Sequence, residues 1–425
     1  MKAVILIILS LSWLSACRKD EDVVVDASGV ATRLPHLWGA LISNNGALSW
    51  VVTNALVIYN DKNVIVGGNK DDRRQLISLD SQTGKINWAW SDLLSLLSAP
   101  TYLDPIAVDE GKYHLHQNKW VFMSGSSTYC IDLDKGITFW KHKIKLDRFD
   151  DCGGIDNSFF NSGSSEESIS VGQQLYAGQV VGKTLEVPVL RPVYDRVDID
   201  PSGQLNGRIR KILPLVVSKD TLLAILFSDP AKMGNRFPTN MGLYNLSQRK
   251  WVYERTPLNG SYPNSNVSWA KLYNGKVYHT STRSMLCHDV MTGKEIWSAN
   301  FDQGFASSGF TIQEGKIFAN NGDRYTYCLN PETGRQIWKE ESSGSASPIS
   351  YLNGVLYFMG GGDGRLHAID ANTGKHLWRL RSPDVDKNSG AFFYGTCVAV
   401  PGQGGKKGRV VATTGLNAYG YEAIR

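Results

Sequence analysis

Short apolar runs alternate with tight polar turns along most of this chain. One such unit begins with the apolar run 366–369, turns through Asp370, Asn372 and Gly374, and returns to end on Trp378. Asp and Asn side chains bond to nearby backbone groups, and Gly accepts a positive φ, so these residue types favour a tight turn. The pattern therefore predicts two antiparallel strands joined by a short turn.

The same unit recurs along the chain. In five copies a Gly lies four residues before a Trp, an Asp or Asn lies eight before it, and a small residue lies ten before it. These copies contain Asp80, Gly84 and Trp88; Asp132, Gly136 and Trp140; Asp289, Gly293 and Trp297; Asn330, Gly334 and Trp338; and Asp370, Gly374 and Trp378. A sixth copy, ending at Trp251, has a turn two residues shorter, and a truncated copy begins at Tyr421.

The spacing of these copies predicts the fold. Successive Trp residues are 52, 111, 46, 41 and 40 residues apart. A repeat of about 40 residues with several strands is typical of a β-propeller. We therefore predict an all-β fold: a single closed β-propeller of four-stranded antiparallel blades, in which each Trp fills the space between neighbouring blades. The blade count is eight, or seven if residues 144–212 form only a loop.

The ends of the chain predict how the ring closes. The strands at 392–401, 409–413 and 416–424 make up only three quarters of a last blade. We expect residues 36–42 to supply the fourth, outer strand, because pairing the two ends removes an exposed sheet edge.

The repeat A-x-D-x-x-T-G-x-x-x-W resembles that of pyrroloquinoline-quinone-type (PQQ-like) β-propellers. That family includes quinoprotein dehydrogenases and also non-enzymatic lipoproteins, such as assembly factor B of the outer-membrane barrel-assembly machinery. Its dehydrogenases use an adjacent Cys-Cys pair near the quinone, together with acidic and amide calcium ligands. This chain has no Cys-Cys dipeptide, and none of its residues matches the calcium ligands. We therefore predict neither enzymatic activity nor a cofactor.

The N-terminus predicts export and anchoring. Lys2 precedes an apolar run at 3–14 that is too short to span a membrane but suits a signal peptide. The following Leu-Ser-Ala-Cys17 resembles the bacterial lipobox. We expect a lipoprotein signal peptide at 1–16, a Cys17 carrying fatty acyl chains such as palmitate, a tether at 17–34, and the propeller at 35–425. The charged tract 18–22 is either a solvated part of the tether or, by resemblance, the surface-export signal of Bacteroidota lipoproteins.

Other candidate chemistry is weaker. The segments 384–390 and 198–203 carry calcium-like oxygen spacing but favour Asx turns, and 402–408 favours a basic loop over a phosphate site. His288, His367 and His376 are expected to be structural, and a Cys130–Cys152 disulfide is one option. The loop 147–156 is acidic and polar, which is typical either of a functional insertion or of sequence drift. A net charge of +5 without a basic aromatic stripe does not favour nucleic acid.

These observations give a leading hypothesis and two alternatives. The first is a monomeric, lipid-anchored propeller at the outer membrane, on its periplasmic or cell-surface face, that serves as a scaffold for a protein partner such as the barrel-assembly machinery. The second is a cell-surface propeller that binds a ligand or glycan. The third, a PQQ-dependent dehydrogenase, is disfavoured by the missing motifs.

Overall fold

The fold was determined from a computed structural model. It describes residues 23–44, 57–70, 73–90, 113–124, 127–143, 149–155, 158–163, 166–173, 181–186, 208–228, 239–258, 269–281, 283–305, 309–344, 346–385, 392–393, 395 and 397–425. Every regular element within these residues is a β-strand, and 32 of the 34 strands form eight antiparallel units of four. This arrangement confirms the predicted all-β propeller and favours eight blades over seven.

Blades 1 to 4 follow the chain in order. Their strands are β4 (Val57–Tyr59), β5 (Asn63–Lys70), β6 (Arg73–Asp80) and β7 (Ile86–Trp90); β8 (Tyr113–His116), β9 (Lys119–Ser124), β10 (Ser127–Asp132) and β11 (Ile137–Lys143); β12 (Phe149–Ile155), β13 (Ser158–Gly163), β14 (Glu166–Gln173) and β15 (Val181–Glu186); and β16 (Arg208–Val217), β17 (Asp220–Ser228), β18 (Thr239–Asn245) and β19 (Lys250–Pro257). Blade 3 thus lies within 144–212, and the segment 147–156, which the sequence predicts as a loop, is mostly strand β12.

Blades 5 to 8 complete the ring. Their strands are β20 (Ala270–Tyr273), β21 (Lys276–Thr280), β22 (Ser284–Asp289) and β23 (Glu295–Asn300); β24 (Phe310–Gln313), β25 (Lys316–Asn320), β26 (Tyr325–Leu329) and β27 (Gln336–Glu341); β28 (Ser350–Leu352), β29 (Val355–Met359), β30 (Leu366–Asp370) and β31 (His376–Leu380); and β32 (Cys397–Val400), β33 (Arg409–Thr413), β34 (Asn417–Glu422) and the N-terminal β3 (Trp38–Leu41). The first strands of neighbouring blades contact one another, as β28, β32 and β4 do, and therefore surround the centre.

The N-terminal strand closes the last blade as predicted. In β3, Trp38 pairs with Gly420 and Leu41 with Asn417 of β34. The Trp38 side chain packs in a buried cluster that joins blade 8 to blade 1. The chain ends are therefore held together by a strand pair and by core packing.

Four tryptophans fill the gap between their own blade and the next. The indole Nε1 of Trp88 donates to the carbonyl of Leu133 at 2.9 Å, and that of Trp297 to the carbonyl of Pro331 at 2.7 Å. Trp38 and Trp338 make the equivalent bonds. The acceptor is always the residue directly after the Asp or Asn of the next blade's turn. The predicted wedge is thereby confirmed for Trp88, Trp297 and Trp338, and Trp38 of the closing strand acts in the same way.

The repeat glycine and the small residue have distinct packing roles. Gly334 has a φ of 69°, and a Cβ there would overlap the ring of Trp297. The small residue faces the Trp of its own blade across the strand pair. These pairs are Ser78–Trp88, Cys130–Trp140, Cys287–Trp297, Cys328–Trp338, Ala368–Trp378 and Gly420–Trp38. Both residues are small because an indole ring lies against them.

The cysteines at these positions are buried free thiols. Cys130, Cys287 and Cys328 are all unpaired, so Cys130 does not form the disulfide with Cys152 that the sequence left open. Burial raises the pKa of the Cys130 thiol to about 12, and those of Cys287 and Cys328 to about 11. Thiols held in this protonated state are poor nucleophiles.

Blade 4 departs from the predicted repeat at Trp251. Its shorter turn places Trp251 across from Tyr244, with ring centroids 5.0 Å apart, instead of across from a small residue. Tyr253 faces Leu243 at the usual Trp position, and its hydroxyl donates to the carbonyl of Val290 at 2.9 Å. The assignment of Trp251 as the repeat Trp is therefore corrected to Tyr253, because turn length sets the strand register.

We expect Tyr253→Phe to destabilise the protein by about 1 kcal/mol, because the carbonyl of Val290 loses its hydroxyl donor. Urea unfolding followed by circular dichroism measures this change. Tyr273→Phe in the neighbouring strand β20 is a suitable control. A Tyr253→Phe variant as stable as the native protein would contradict the role assigned to this residue.

Candidate functional site

The two faces of the propeller differ in the length of their connections. Each blade runs up and down from the centre outward, so its internal first and third turns lie on one face, which we call the turn face. Connections between blades, and the second turn of each blade, lie on the opposite face, which we call the loop face. Connections of ten residues or more all join strand ends on the loop face: 42–56, 91–112, 187–207, 229–238, 258–269 and 381–396. On the turn face, no connection between the strands that the structure describes exceeds eight residues.

The predicted repeat residues gather on the turn face, where they have structural roles. Asp370 Oδ1 accepts bonds from the backbone N–H groups of Asn372 and Thr373 at 3.0 and 2.9 Å, and Gly374 N–H donates to the Asp370 carbonyl. Burial alone would raise the pKa of Asp370, but hydrogen bonds from Arg425 and Thr373 lower it below its ordinary value. The other copies repeat this turn, so their Asp, Asn and Gly residues form no shared site.

Most other predicted candidates are also accounted for. The carboxylate of Asp384 accepts hydrogen bonds from Thr414, Asn417 and Tyr419 in blade 8, which is a structural contact. Residues 386–390 of the same segment lie outside the described residues. Lys407, in the basic loop 402–408, pairs with Glu422 at 2.7 Å. Cys17, the tract 18–22 and the segment 198–203 lie outside the described residues.

A hydrogen-bonded chain of four titratable side chains crosses from blade 7 to blade 6. Asp363, in the turn before β30, lies 3.1 Å from His367 Nε2, and His367 Nδ1 lies 3.1 Å from His376 Nε2. His376 Nδ1 in turn lies 3.1 Å from Glu340 of β27. Both imidazoles are buried, whereas the two carboxylates at the ends are each about one-third exposed.

The charges of this chain follow from its burial. Burial, together with His367 and Arg379, lowers the pKa of His376 to about 3, so this imidazole is neutral at pH 7. Burial raises the pKa of Glu340, whereas the His367 contact outweighs burial and lowers that of Asp363. The arrangement can relay a proton or a charge change between the loop face and the outer rim. The sequence predicts structural roles for both histidines. The only sequence feature that links them to a hydrogen-bonded chain is that both occur in the same repeat.

A second histidine pair lies inside blade 5. His279 and His288 are buried, their ring centroids are 5.2 Å apart, and neither ring has a hydrogen-bond partner. Burial holds the pKa of His279 well below its ordinary value and lowers that of His288 to about 4. Both rings are therefore neutral in the folded protein at pH 7.

We expect this pair to make the protein sensitive to acid. The folded-state pKa of His288 lies below the unfolded value of about 6.5, so the unfolded state binds the extra proton. Stability is then constant above pH 6.5 and falls between pH 6.5 and 4, by about 3 kcal/mol for His288 alone. Urea midpoints at pH 7.5 and 5.0 measure the part of this loss that falls above pH 5.0, about 2 kcal/mol. A His279→Leu, His288→Leu variant should lose less stability on acidification, and an unchanged loss would contradict the assignment.

The described residues contain no group of three or more His, Cys, Asp or Glu side chains placed to hold a metal ion. Within the same part of the chain, no helix is long and apolar enough to cross a membrane.

Comparison with known proteins places the repeat in a family. Residues 282–418, from blade 5 to blade 8, match the PQQ-like repeat family model described as outer membrane protein assembly factor BamB. These residues carry PQQ-like propeller repeats, as the sequence predicts. No curated protein matches the chain.

Solved structures share the fold at low identity. The quinohemoprotein alcohol dehydrogenase from Comamonas testosteroni has 10% identity and a TM-score of 0.60, with 91% of this chain and 76% of that chain covered. Sqt1 from Saccharomyces cerevisiae has 10% identity and a TM-score of 0.57, covering 92% and 97%. BamB from Moraxella catarrhalis has 14% identity and a TM-score of 0.44, covering 76% and 80%. The first two likenesses support the propeller fold alone.

Proposed function

We propose that this PQQ-like-repeat β-propeller is a non-enzymatic scaffold, lipid-anchored through Cys17 at the outer membrane, that binds a protein partner through its loop face. The observation that carries the proposal is that every connection of ten residues or more between the described strands joins strand ends on that face. Long loops on a rigid sheet scaffold are where such folds most often carry recognition. The family description, outer membrane protein assembly factor, supports a partner in outer-membrane protein assembly.

The chemistry of the turn face supports the same choice. Its repeat side chains are engaged in turns and in contacts between blades, as Asp370 is with Thr373 and Arg425. A partner that bound there would compete with contacts that hold the ring together.

The main test is a cross-linking pull-down of the tagged, lipidated protein from outer membranes, with partners identified by mass spectrometry. The loop-face variant replaces residues 187–207 with a short Gly-Ser linker. The matched control replaces the turn-face loop 401–408 in the same way. Each of the other long loop-face connections is replaced in the same way, one at a time. We expect the native protein and the control to recover outer-membrane assembly components, and the loop-face variants to lose them. Equal recovery with every loop replaced would contradict a loop-face interface.

A second candidate function is a cell-surface propeller that binds a ligand or glycan on the same face. The charged tract 18–22, which resembles a surface-export signal, favours this alternative. Protease treatment of intact cells distinguishes the two, because only a surface-exposed protein is degraded. Recovery of a glycan-handling complex in place of assembly components would favour the second candidate.

The proposal also implies that the protein has no quinone-dependent activity. Purified protein supplied with pyrroloquinoline quinone, calcium and short alcohols is expected to reduce no electron-accepting dye. Turnover that requires the added quinone would overturn the non-enzymatic assignment.

A further inference from the structure

The segment predicted as a tether is in part a hairpin seated on the rim of blade 7. Strands β1 (Val24–Val25) and β2 (Ala31–Arg33) pair with each other, and β2 pairs in parallel with β31 through Ala31 and Trp378. They extend this blade to six strands. The predicted tether of 17–34 is thereby corrected, because these strands belong to the folded propeller.

Specific contacts hold the hairpin in place. The Arg381 N–H donates to the carbonyl of Thr32 at 3.1 Å, and Arg379 Nη2 donates to Asp26 Oδ2 at 3.2 Å. Asp26 also accepts from the N–H of Ser28 at 2.9 Å, which fixes the hairpin turn. The turn therefore links the hairpin directly to β31.

The hairpin also covers an apolar position that other blades leave exposed. Leu377, the residue before Trp378, packs with Ala31 and Leu34 against the core of blades 7 and 8. The equivalent residues Ile296 and Ile337, in blades 5 and 6, are 43% and 49% exposed. These packing contacts fix the position and orientation of the hairpin relative to the propeller.

The outer edge of this hairpin is apolar. Val23, Val24 and Val25 are 58%, 44% and 57% exposed, and they are consecutive in sequence. Exposed edge strands of soluble proteins usually carry charges or proline to prevent association. Three exposed valines at such an edge indicate a surface that is covered by something else.

The length of chain between Cys17 and this edge indicates what covers it. Only five residues separate Cys17 from Val23, so their Cα atoms lie at most about 20 Å apart. Asp20, Glu21 and Asp22 lie in this short segment and balance nearby basic residues, so charge does not select the surface. An exposed apolar edge held this close to a lipid anchor is suited to the interfacial region of a bilayer.

We propose that the edge Val23–Val25 rests on the lipid surface, so that the rim of blade 7 faces the membrane and the propeller stands edge-on. The loop face is then turned sideways, open to a partner in the plane next to the membrane. This inference rests on the lipid anchor at Cys17 in the proposed function. It adds a second, non-covalent membrane contact and an orientation.

The test measures the immersion of a nitroxide label at two matched positions. Val24→Cys is the test variant and Val252→Cys, on the outer strand of blade 4, is the control, because both valines are 44% exposed. Cys152 is replaced by Ser in both variants, and the other propeller cysteines are buried. The labelled, lipidated chains are placed in vesicles of phosphatidylethanolamine and phosphatidylglycerol. Collision rates with oxygen and with a water-soluble nickel chelate are compared by electron paramagnetic resonance.

We expect the oxygen-to-nickel ratio at position 24 to exceed that at position 252 by at least about threefold, because oxygen concentrates in the apolar layer. Equal, water-like ratios in an acylated chain would overturn the inference and leave the anchor intact. Dipolar broadening between labels at position 24 would overturn it as well, by indicating that two copies pair through this edge. Mass spectrometry of the N-terminal peptide reports acylation separately, and an unmodified Cys17 would refute the anchor together with this inference.

Discussion

Deleting residues 35–42 is expected to abolish cooperative folding of the propeller. The deletion removes β3, which leaves β34 as an unpaired edge and empties the space that Trp38 fills between blades 8 and 1. Loss of a buried Trp alone costs about 3–5 kcal/mol. The total stability of a protein is only about 5–15 kcal/mol, so the added loss of a strand pair consumes most of it. Thermal unfolding by circular dichroism, with the yield of soluble protein, measures the result.

A deletion of residues 24–33 provides the matched control for this experiment. It removes β1 and β2, a segment of similar size next to the closing strand, but leaves the pairing of β3 with β34 intact. We expect this control to keep a cooperative transition with a modestly lower midpoint. A protein lacking 35–42 that melts at the native temperature would contradict the closure mechanism.

Trp297→Ala is expected to cost about 3–5 kcal/mol, the usual range for a buried aromatic side chain. Trp297 packs in the cluster between blades 5 and 6, and its Nε1 donates to the carbonyl of Pro331. Truncation leaves a cavity and removes the shorter of two hydrogen bonds to that carbonyl, which keeps only the Tyr278 hydroxyl as a donor at 3.3 Å. The free energy of unfolding in urea measures the loss.

Trp251→Ala is the informative comparison, because the same residue type lies in the same repeat pattern. Trp251 is only half-buried and its Nε1 has no hydrogen-bond partner. We therefore expect a loss of about 1–2 kcal/mol, set by the apolar area that it covers. Equal losses in the two variants would contradict the assignment of Tyr253, and not Trp251, to the gap between blades 4 and 5.

The repeat pattern was enough to predict the strands and their turns because its physical causes are local. An Asp or Asn that caps its own turn and a Gly with positive φ act within a few residues, so the pattern at Asp370 and Gly374 predicts the turn directly. The small residue ten positions before each Trp follows from the strand pair that the same turn creates. Even the closure by residues 36–42 could be predicted, because a closed ring must not leave a strand missing.

The tertiary structure alone decided the features that depend on what lies opposite a residue. Composition could not distinguish a hairpin at 24–33 from a tether, because the rim of blade 7 that receives it is formed by residues some 350 positions away. The order Asp363, His367, His376 and Glu340 likewise arises from strand pairing and from contact between two blades. At Trp251 the residue type predicted a wedge, but a turn two residues shorter moved Tyr253 into that place. The sequence by itself thus determined the repeated unit and the closed ring, whereas packing between blades determined which side chains meet, because a contact across a seam depends on both partners at once.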